Sequence, residues 1–124
     1  MPGLSILLSV YAKENAEFLE QSLVSIFNQT LIPDEVILVE DGPLTNELYK
    51  ILDSYGGLYP QLKRIPLAIN SGLGKALNEG LKHCSNELVA RMDSDDVCFP
   101  NRFEKQVKFM TENPDIDISG TWIE

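Results

Sequence analysis

Short apolar runs in this chain are each followed by a stretch whose apolar side chains recur every three or four residues, and this alternation limits the folds open to it. Residues 4–10 read as a buried strand, since a strand covered on both faces has no polar side to alternate with. Over 14–29, Leu19, Leu23, Ile26 and Phe27 share one helical face, with Glu17 and Glu20 off it. Residues 35–39 are the clearest strand, β-branched and flanked by acids, and Asp41-Gly42-Pro43 breaks it. Leu48, Ile51, Leu52 and Tyr55 mark a second helix, which Gly56-Gly57 is expected to end. Residues 62–67 predict a third strand, with Pro66 marking an edge or an early end. After an Asn70-Ser71-Gly72 turn, Leu73, Ala76, Leu77, Gly80, Leu81 and Cys84 form a third helical stripe. Residues 87–92 predict a fourth strand. Pro100 fits the first turn of a fourth helix, with Phe103, Val107 and Met110 facing inward, and 116–123 predict a fifth strand. Phe99 and Trp122 read as core residues.

Strands separated by helices of crossover length imply an α/β fold: a Rossmann-like, mostly parallel sheet with helices on both faces. The 124 residues suffice for one domain or most of one, and such a chain buries about two-thirds of its unfolded surface. Its 44% hydrophobic and 23% charged residues exclude a disordered or collagen-like chain. No run reaches the roughly 18 apolar residues of a membrane span. A net charge of −9 repels duplex nucleic acid and anionic lipid, so no nucleic-acid partner is expected. An anionic ligand would need local positive groups or a bridging cation. Cys84 and Cys98 form no CxxC pair, and with His83 the only histidine a zinc cage is not expected. Both thiols read as buried and structural, and His83 as solvated. No signal-peptide pattern opens the chain, which points to a cytoplasmic location.

In open α/β sheets, ligands bind beyond the carboxyl ends of the strands. Three such ends are polar here: Ser9-Val10-Tyr11, Glu40-Asp41 and Asp93-Ser94-Asp95-Asp96. The last is the strongest signal. Three carboxylates in four residues repel one another, and a divalent cation is the natural counter-charge. All-oxygen ligands suit Mg²⁺ or Mn²⁺. The alternative is an acidic turn with Asp96 capping a helix. Asp41 reads either as a hydrogen-bond acceptor for a nucleobase or ribose, or as a turn residue capping its own loop. Residues 70–75 place Gly72, Gly74 and Lys75 at a helix start, where backbone can approach a phosphate and a lysine can offset its charge. The spacing is not that of a Walker A loop, and an ordinary glycine turn with a solvated lysine fits equally. Ser9 and Tyr11 could frame a base, or pack.

Taken together, these segments resemble the family 2 glycosyltransferases of the GT-A fold. The matching stretches are 5–11 (SILLSVY), 23–30 (LVSIFNQT), 35–42 (EVILVEDG), 70–72 with 76–80 (NSG, ALNEG), and 90–96 (ARMDSDD) with Pro100 and Arg102-Phe103. The resemblance implies a nucleotide-diphosphate-sugar donor, often UDP-linked, and a saccharide or lipid-linked acceptor in surface polysaccharide synthesis. On that pattern Tyr11 lies near the nucleobase, Asp41 binds it, and Lys75 approaches the nucleotide; Ser9, beside Tyr11, is the further nucleotide-binding candidate. Asp93 faces the ribose and, with Asp95, the Mn²⁺ or Mg²⁺ that bridges the diphosphate. Transfer would invert the anomeric carbon. The base carboxylate and acceptor site belong to a later half, so residues 1–124 are expected to be the nucleotide-sugar-binding part of a glycosyltransferase domain that continues beyond them. The resemblance also admits peripheral membrane association of the full-length enzyme. Ala12 replaces an asparagine of the pattern, Glu40 its first aspartate, and Pro43-Leu44 a small polar pair.

Two other classes compete. A receiver-like signalling domain has a similar size and alternation, but needs an acidic pair after strand one and a lysine after strand five. Strand one here ends in Ser9-Val10-Tyr11, and no lysine follows Ile116. A non-catalytic nucleotide-binding module fits the motifs without transfer. An incomplete sheet edge would favour a homodimer.

Overall fold

The computed structural model describes residues 3–86, 88–93, 100–112 and 121–122. The elements follow the expected alternation: β1 (Leu4–Val10), α1 (Ala16–Phe27), β2 (Glu35–Glu40), α2 (Asn46–Leu58), β3 (Leu62–Pro66), α3 (Leu73–Leu81), β4 (Leu88–Arg91), α4 (Arg102–Glu112) and β5 (Thr121–Trp122). The sheet order is β3-β2-β1-β4-β5, and every ladder is parallel. The chain winds outward from β1 to β3, then restarts on the other side of β1 with β4. The order therefore reverses between β1 and β4, and a crevice opens at their carboxyl ends. A receiver would run 2-1-3-4-5, so this order excludes that class.

Strand side chains alternate between two cores. Ile6, Leu8, Val10, Val36 and Leu38 pack with Leu19 and Leu23 of α1, Leu48 and Leu52 of α2, and Phe103 and Val107 of α4. Leu7, Ile37, Val39 and Val89 face Ala76 and Leu77 of α3. Gly80 lets α3 lie close to the sheet, since a Cβ there would fall 2.4 Å from a Leu7 methyl and 2.6 Å from a Val39 methyl. This approach buries only Ala76, Leu77 and Gly80 of the expected stripe. Leu73 and Leu81 are exposed instead, and Cys84, half-buried, lies past the helix end.

The glycine pair does not end α2, which runs through Gly56 and Gly57 to Leu58. A Cβ at either glycine would touch nothing within 4 Å. The helix stops one residue later, where Tyr59 turns extended and stacks on Phe27 at 3.9 Å. Asn15 caps α1 by accepting from the Glu17 and Phe18 N–H groups, which starts it two residues later than expected. Pro100 stands outside α4 rather than in its first turn, because the helix opens with Lys105 N–H donating to the Asn101 carbonyl. β3 is an edge strand ending at Pro66, as the proline required. Glu87, Cys98, Phe99, most of 116–123, and the side chains of Met110 and Trp122 lie outside the described residues.

The amino ends of the strands are tied by a buried carboxylate. Glu35 accepts from the Ser5 hydroxyl at 2.7 Å, the Ser85 N–H at 2.5 Å and Lys63 Nζ at 3.2 Å. Burial acts to raise its pKa, but the bonds from Ser5, Ser85 and Lys63 outweigh this and hold it below 4.5. A carboxyl that binds its proton more weakly folded than unfolded adds stability above the unfolded value and loses it as pH falls through the folded value. Glu35→Gln is therefore expected to melt below the unmutated protein at neutral pH, with the gap closing below pH 4.5. Thermal melts over a pH series check this.

Candidate functional site

β1 and β2 deliver their polar ends side by side. Asp41 N–H donates to the Val10 carbonyl at 2.8 Å, extending the ladder one step past β2. The chain then turns at Gly42, whose φ of +85° suits glycine. A Cβ there would lie 2.6 Å from the Asn70 nitrogen and 3.0 Å from its Cα, so glycine lets this turn abut the backbone of the 69–72 loop. That approach places the Asp41 carboxylate, 4% exposed, against the loop before α3. Its oxygens accept from Ser71 N–H at 2.7 Å and Gly72 N–H at 3.2 Å, and its carbonyl accepts from Asn70 Nδ2 at 3.3 Å. Asp41 thus caps a distant loop rather than its own. Gly72, at φ +91°, is the N-cap of α3 and supplies no side-chain cap, so the helix presents its N-terminal end, where anions are favoured.

A cavity of about 480 Å³ opens at this edge, lined by Ser9, Tyr11, Glu14, Asp41, Asn70, Gly72, Leu73 and Asp93. Four sequence-selected residues, Ser9, Tyr11, Asp41 and Asp93, meet there from three strand ends. Tyr11 is 43% exposed and presents an aromatic surface; Ser9 is half-buried and Asp93 exposed. Lys75 is not brought into this cavity. It lines an adjoining one of about 790 Å³ with Leu67, Ile69, Ser71, Asn78 and Lys82, so the 69–72 loop forms a wall of both. Asp95 lies outside the described residues.

Glu14 was not among the residues chosen from sequence, while Asn70 and Leu73 belong to the 70–75 stretch read there as a helix-start loop. Glu14 turns back to the site because its N–H donates to the Tyr11 carbonyl at 3.0 Å; a tyrosine three residues before an acid at a helix start was the available signal. Glu40 is buried but not part of the cavity. It pairs with Arg64 Nε at 2.5 Å, and Arg64 reaches Asp53 of α2 at 2.5 Å. Burial opposes the charge on Arg64, and the bonds from Asp53 and Glu40 outweigh it and raise the pKa. The Glu40 charge is thus paired with Arg64 inside the fold.

Three carboxylates, Glu14, Asp41 and Asp93, line the cavity, with no lysine or arginine among its described lining residues. Such a concentration of like charge favours a cation, and hard oxygen donors fit Mg²⁺ or Mn²⁺. These ions need only one or two protein carboxylates when phosphate and water complete the shell. Among the described residues no group of three His, Cys, Asp or Glu side chains forms a metal cage by itself. Burial, then the charge of Glu35, pushes the Cys84 thiol up to about 11, which disfavours its thiolate at neutral pH. His83 is exposed.

A parallel α/β sheet of this order, with a polar cavity at its switch point, is the doubly wound arrangement in which ligands bind beyond the carboxyl ends of the strands. The family model described as glycosyl transferase family 2 matches residues 5–124, and the chain belongs to that family. It is 49% identical over 116 residues to the amylovoran biosynthesis glycosyltransferase AmsE of Erwinia amylovora, covering 94% of this chain and 43% of AmsE. It is 45% identical over 123 residues to the UDP-Gal:alpha-D-GlcNAc-diphosphoundecaprenol beta-1,3-galactosyltransferase of Escherichia coli, covering 99% and 44%. The chain spans under half the length of these relatives. Among solved structures, S. aureus TarS 1-349 in complex with UDP-GlcNAc superposes with a TM-score of 0.79 at 28% identity, covering 90% of this chain and 32% of that one. The mannosyltransferase PcManGT of Pyrobaculum calidifontis, solved with GDP-Man and Mn²⁺, shares the fold with a TM-score of 0.75 at 24% identity, covering 88% and 32%. No described helix is long and apolar enough to cross a membrane.

Proposed function

We propose that this chain holds the nucleoside diphosphate of a sugar donor, UDP-linked, in the cavity at the β1/β4 switch point. The observation that carries the reading is the convergence of Ser9, Tyr11, Asp41 and Asp93 on one cavity. The Tyr11 ring offers a stacking surface for the base. The Asp41 oxygens, each holding one backbone N–H, retain lone pairs to accept from a base N–H. Asp93 would contact the ribose and, with Asp95, would hold the cation. The α3 N-terminus and Lys75, beside the wall the two cavities share, favour the negative diphosphate.

The full polypeptide transfers the sugar, with inversion, to a saccharide or lipid-linked acceptor in polysaccharide synthesis, at the cytoplasmic side of the membrane. The anomeric C–O bond breaks and its electron pair leaves with the diphosphate. A bound Mn²⁺ or Mg²⁺ supplies charge stabilisation for that leaving group. The chain's own residues orient the nucleotide and offset its charge; none is assigned as the general base for the acceptor hydroxyl.

Calorimetric titration with UDP, GDP and UDP-glucose, each with and without Mn²⁺, tests this. The expected result is UDP binding strengthened by Mn²⁺, with that gain lost by at least about tenfold in Asp95→Ala. A folded sample that binds none of the three under either condition contradicts it. Binding without transfer by the full polypeptide would favour the non-catalytic module.

A further inference from the structure

Arg91 is the last residue of β4 and stands beside Leu7 of β1 in the parallel register. Side chains alternate between the two faces of a sheet. Val89, two residues earlier, packs with Leu7 against α3, so Arg91 belongs to the α3 face as well. The ladder runs on past β4, since Met92 N–H donates to the Leu7 carbonyl at 3.0 Å. The next positions on that face are Ser9 on β1 and Asp93 after β4, and both line the switch-point cavity. Arg91 therefore lies one row inward of them, about 6.6 Å along the strand. Strand side chains lean along the strand direction, and an extended arginine spans that distance.

Arg91 is half-buried, and its Nε is buried with no hydrogen-bond partner. Lys63, Arg64 and Lys82 each meet a carboxylate; among the described residues none pairs with Arg91. A buried donor left without a partner costs free energy, the more so on a charged group. Such groups are few in native folds and mark sites of function or strain. The cavity one row above is lined by three carboxylates, with no lysine or arginine among its described lining residues. A diphosphate held there needs fixed positive charge besides a bridging cation, and the planar guanidinium fork matches phosphate oxygens. We propose that Arg91 is a donor-binding residue, which donates to a phosphoryl oxygen of the nucleoside diphosphate. The inference rests on the nucleotide-site reading above.

The test compares Arg91→Met, which keeps an apolar stem and removes the guanidinium, with Lys50→Met, which removes the same charge from an exposed position on α2. Each is titrated with UDP and with uridine, which keeps the base and ribose but carries no phosphate; uridine binding is followed by the Tyr11 amide shift. In Arg91→Met the UDP Kd is expected to rise at least about tenfold, the scale of one charge-assisted hydrogen bond, both with Mg²⁺ and without cation. The uridine Kd should be unchanged. The melting temperature should be equal to or above that of the unmutated protein, because an unpartnered buried charge has been replaced by an apolar side chain. Arg91→Lys, which keeps the charge and loses the fork, should recover part of the UDP affinity. Lys50→Met should leave both Kd values unchanged. An unchanged UDP Kd in Arg91→Met, an equal loss for uridine, or an equal loss in Lys50→Met overturns the proposal. A lower melting temperature in Arg91→Met, or its failure to fold, shows Arg91 serving the fold and overturns it too. If the unmutated protein binds neither UDP nor uridine, the nucleotide-site reading falls and this inference with it.

Discussion

Gly42→Ala is expected to lower the melting temperature by on the order of 10 °C and to weaken nucleotide binding severely, although the added methyl touches no ligand. Two costs combine. A left-handed backbone conformation costs about 1–2 kcal/mol for a residue with a Cβ. The methyl would also sit 2.6 Å from a backbone nitrogen of Asn70, and backbone cannot rotate away as a side chain can, so overpacking adds about 1–3 kcal/mol. Relief requires the 69–72 loop to move, and with it the Ser71 and Gly72 N–H groups that Asp41 holds. Thermal unfolding and UDP titration of the same preparation check both effects. A melting temperature within about 2 °C of the unmutated protein would show that the two turns do not abut.

Asp41→Asn carries the second large effect, and it separates charge from shape. The carboxylate accepts two backbone N–H groups beside a helix N-terminus, and hydrogen bonds to a charged acceptor contribute about 1.5–3 kcal/mol each. The amide keeps one acceptor and turns an NH₂ toward the other N–H. A stability loss of about 2 kcal/mol is expected, with UDP affinity falling about 30-fold or more. The two losses are of similar size, since 30-fold is about 2 kcal/mol, and binding falls because the single acceptor oxygen of the amide cannot serve both the loop and the base. Equal UDP affinity in Asp41→Asn would remove Asp41 from the site while leaving its capping role intact.

The strands were legible because burial on both faces leaves apolar runs that local sequence carries unaided, as in 4–10 and 35–39. The convergence of Ser9, Tyr11, Asp41 and Asp93 followed from strand ends and parallel topology alone. What the sequence hid depends on partners far along the chain. Gly56-Gly57 looks like a helix end, but the stack of Tyr59 on Phe27 decides where α2 stops. Glu40 looks like a ligand-facing acid until Arg64, on the neighbouring strand, is seen to neutralise it. Asp41-Gly42 reads as a local turn, yet its acceptor groups serve residues about thirty positions later. Lys75 follows the glycines closely enough to suggest one phosphate loop, while the 69–72 wall places it in a second cavity. Leu73 and Leu81 have helical spacing, but Gly80 draws α3 so near the sheet that only the residues directly beneath it are covered.

The central claim, that a nucleotide occupies the switch-point cavity, is tested most directly by amide chemical-shift mapping of the ¹⁵N-labelled protein titrated with UDP and Mg²⁺, the diamagnetic cation. The account predicts the largest shifts at Tyr11, Ser71, Gly72 and Asp93, with Ser5, Ser85 and Asn86 at the opposite end of the strands unmoved. Saturable shifts centred on the outer face of α3 or on the strands' amino ends, with those four amides still, would contradict it.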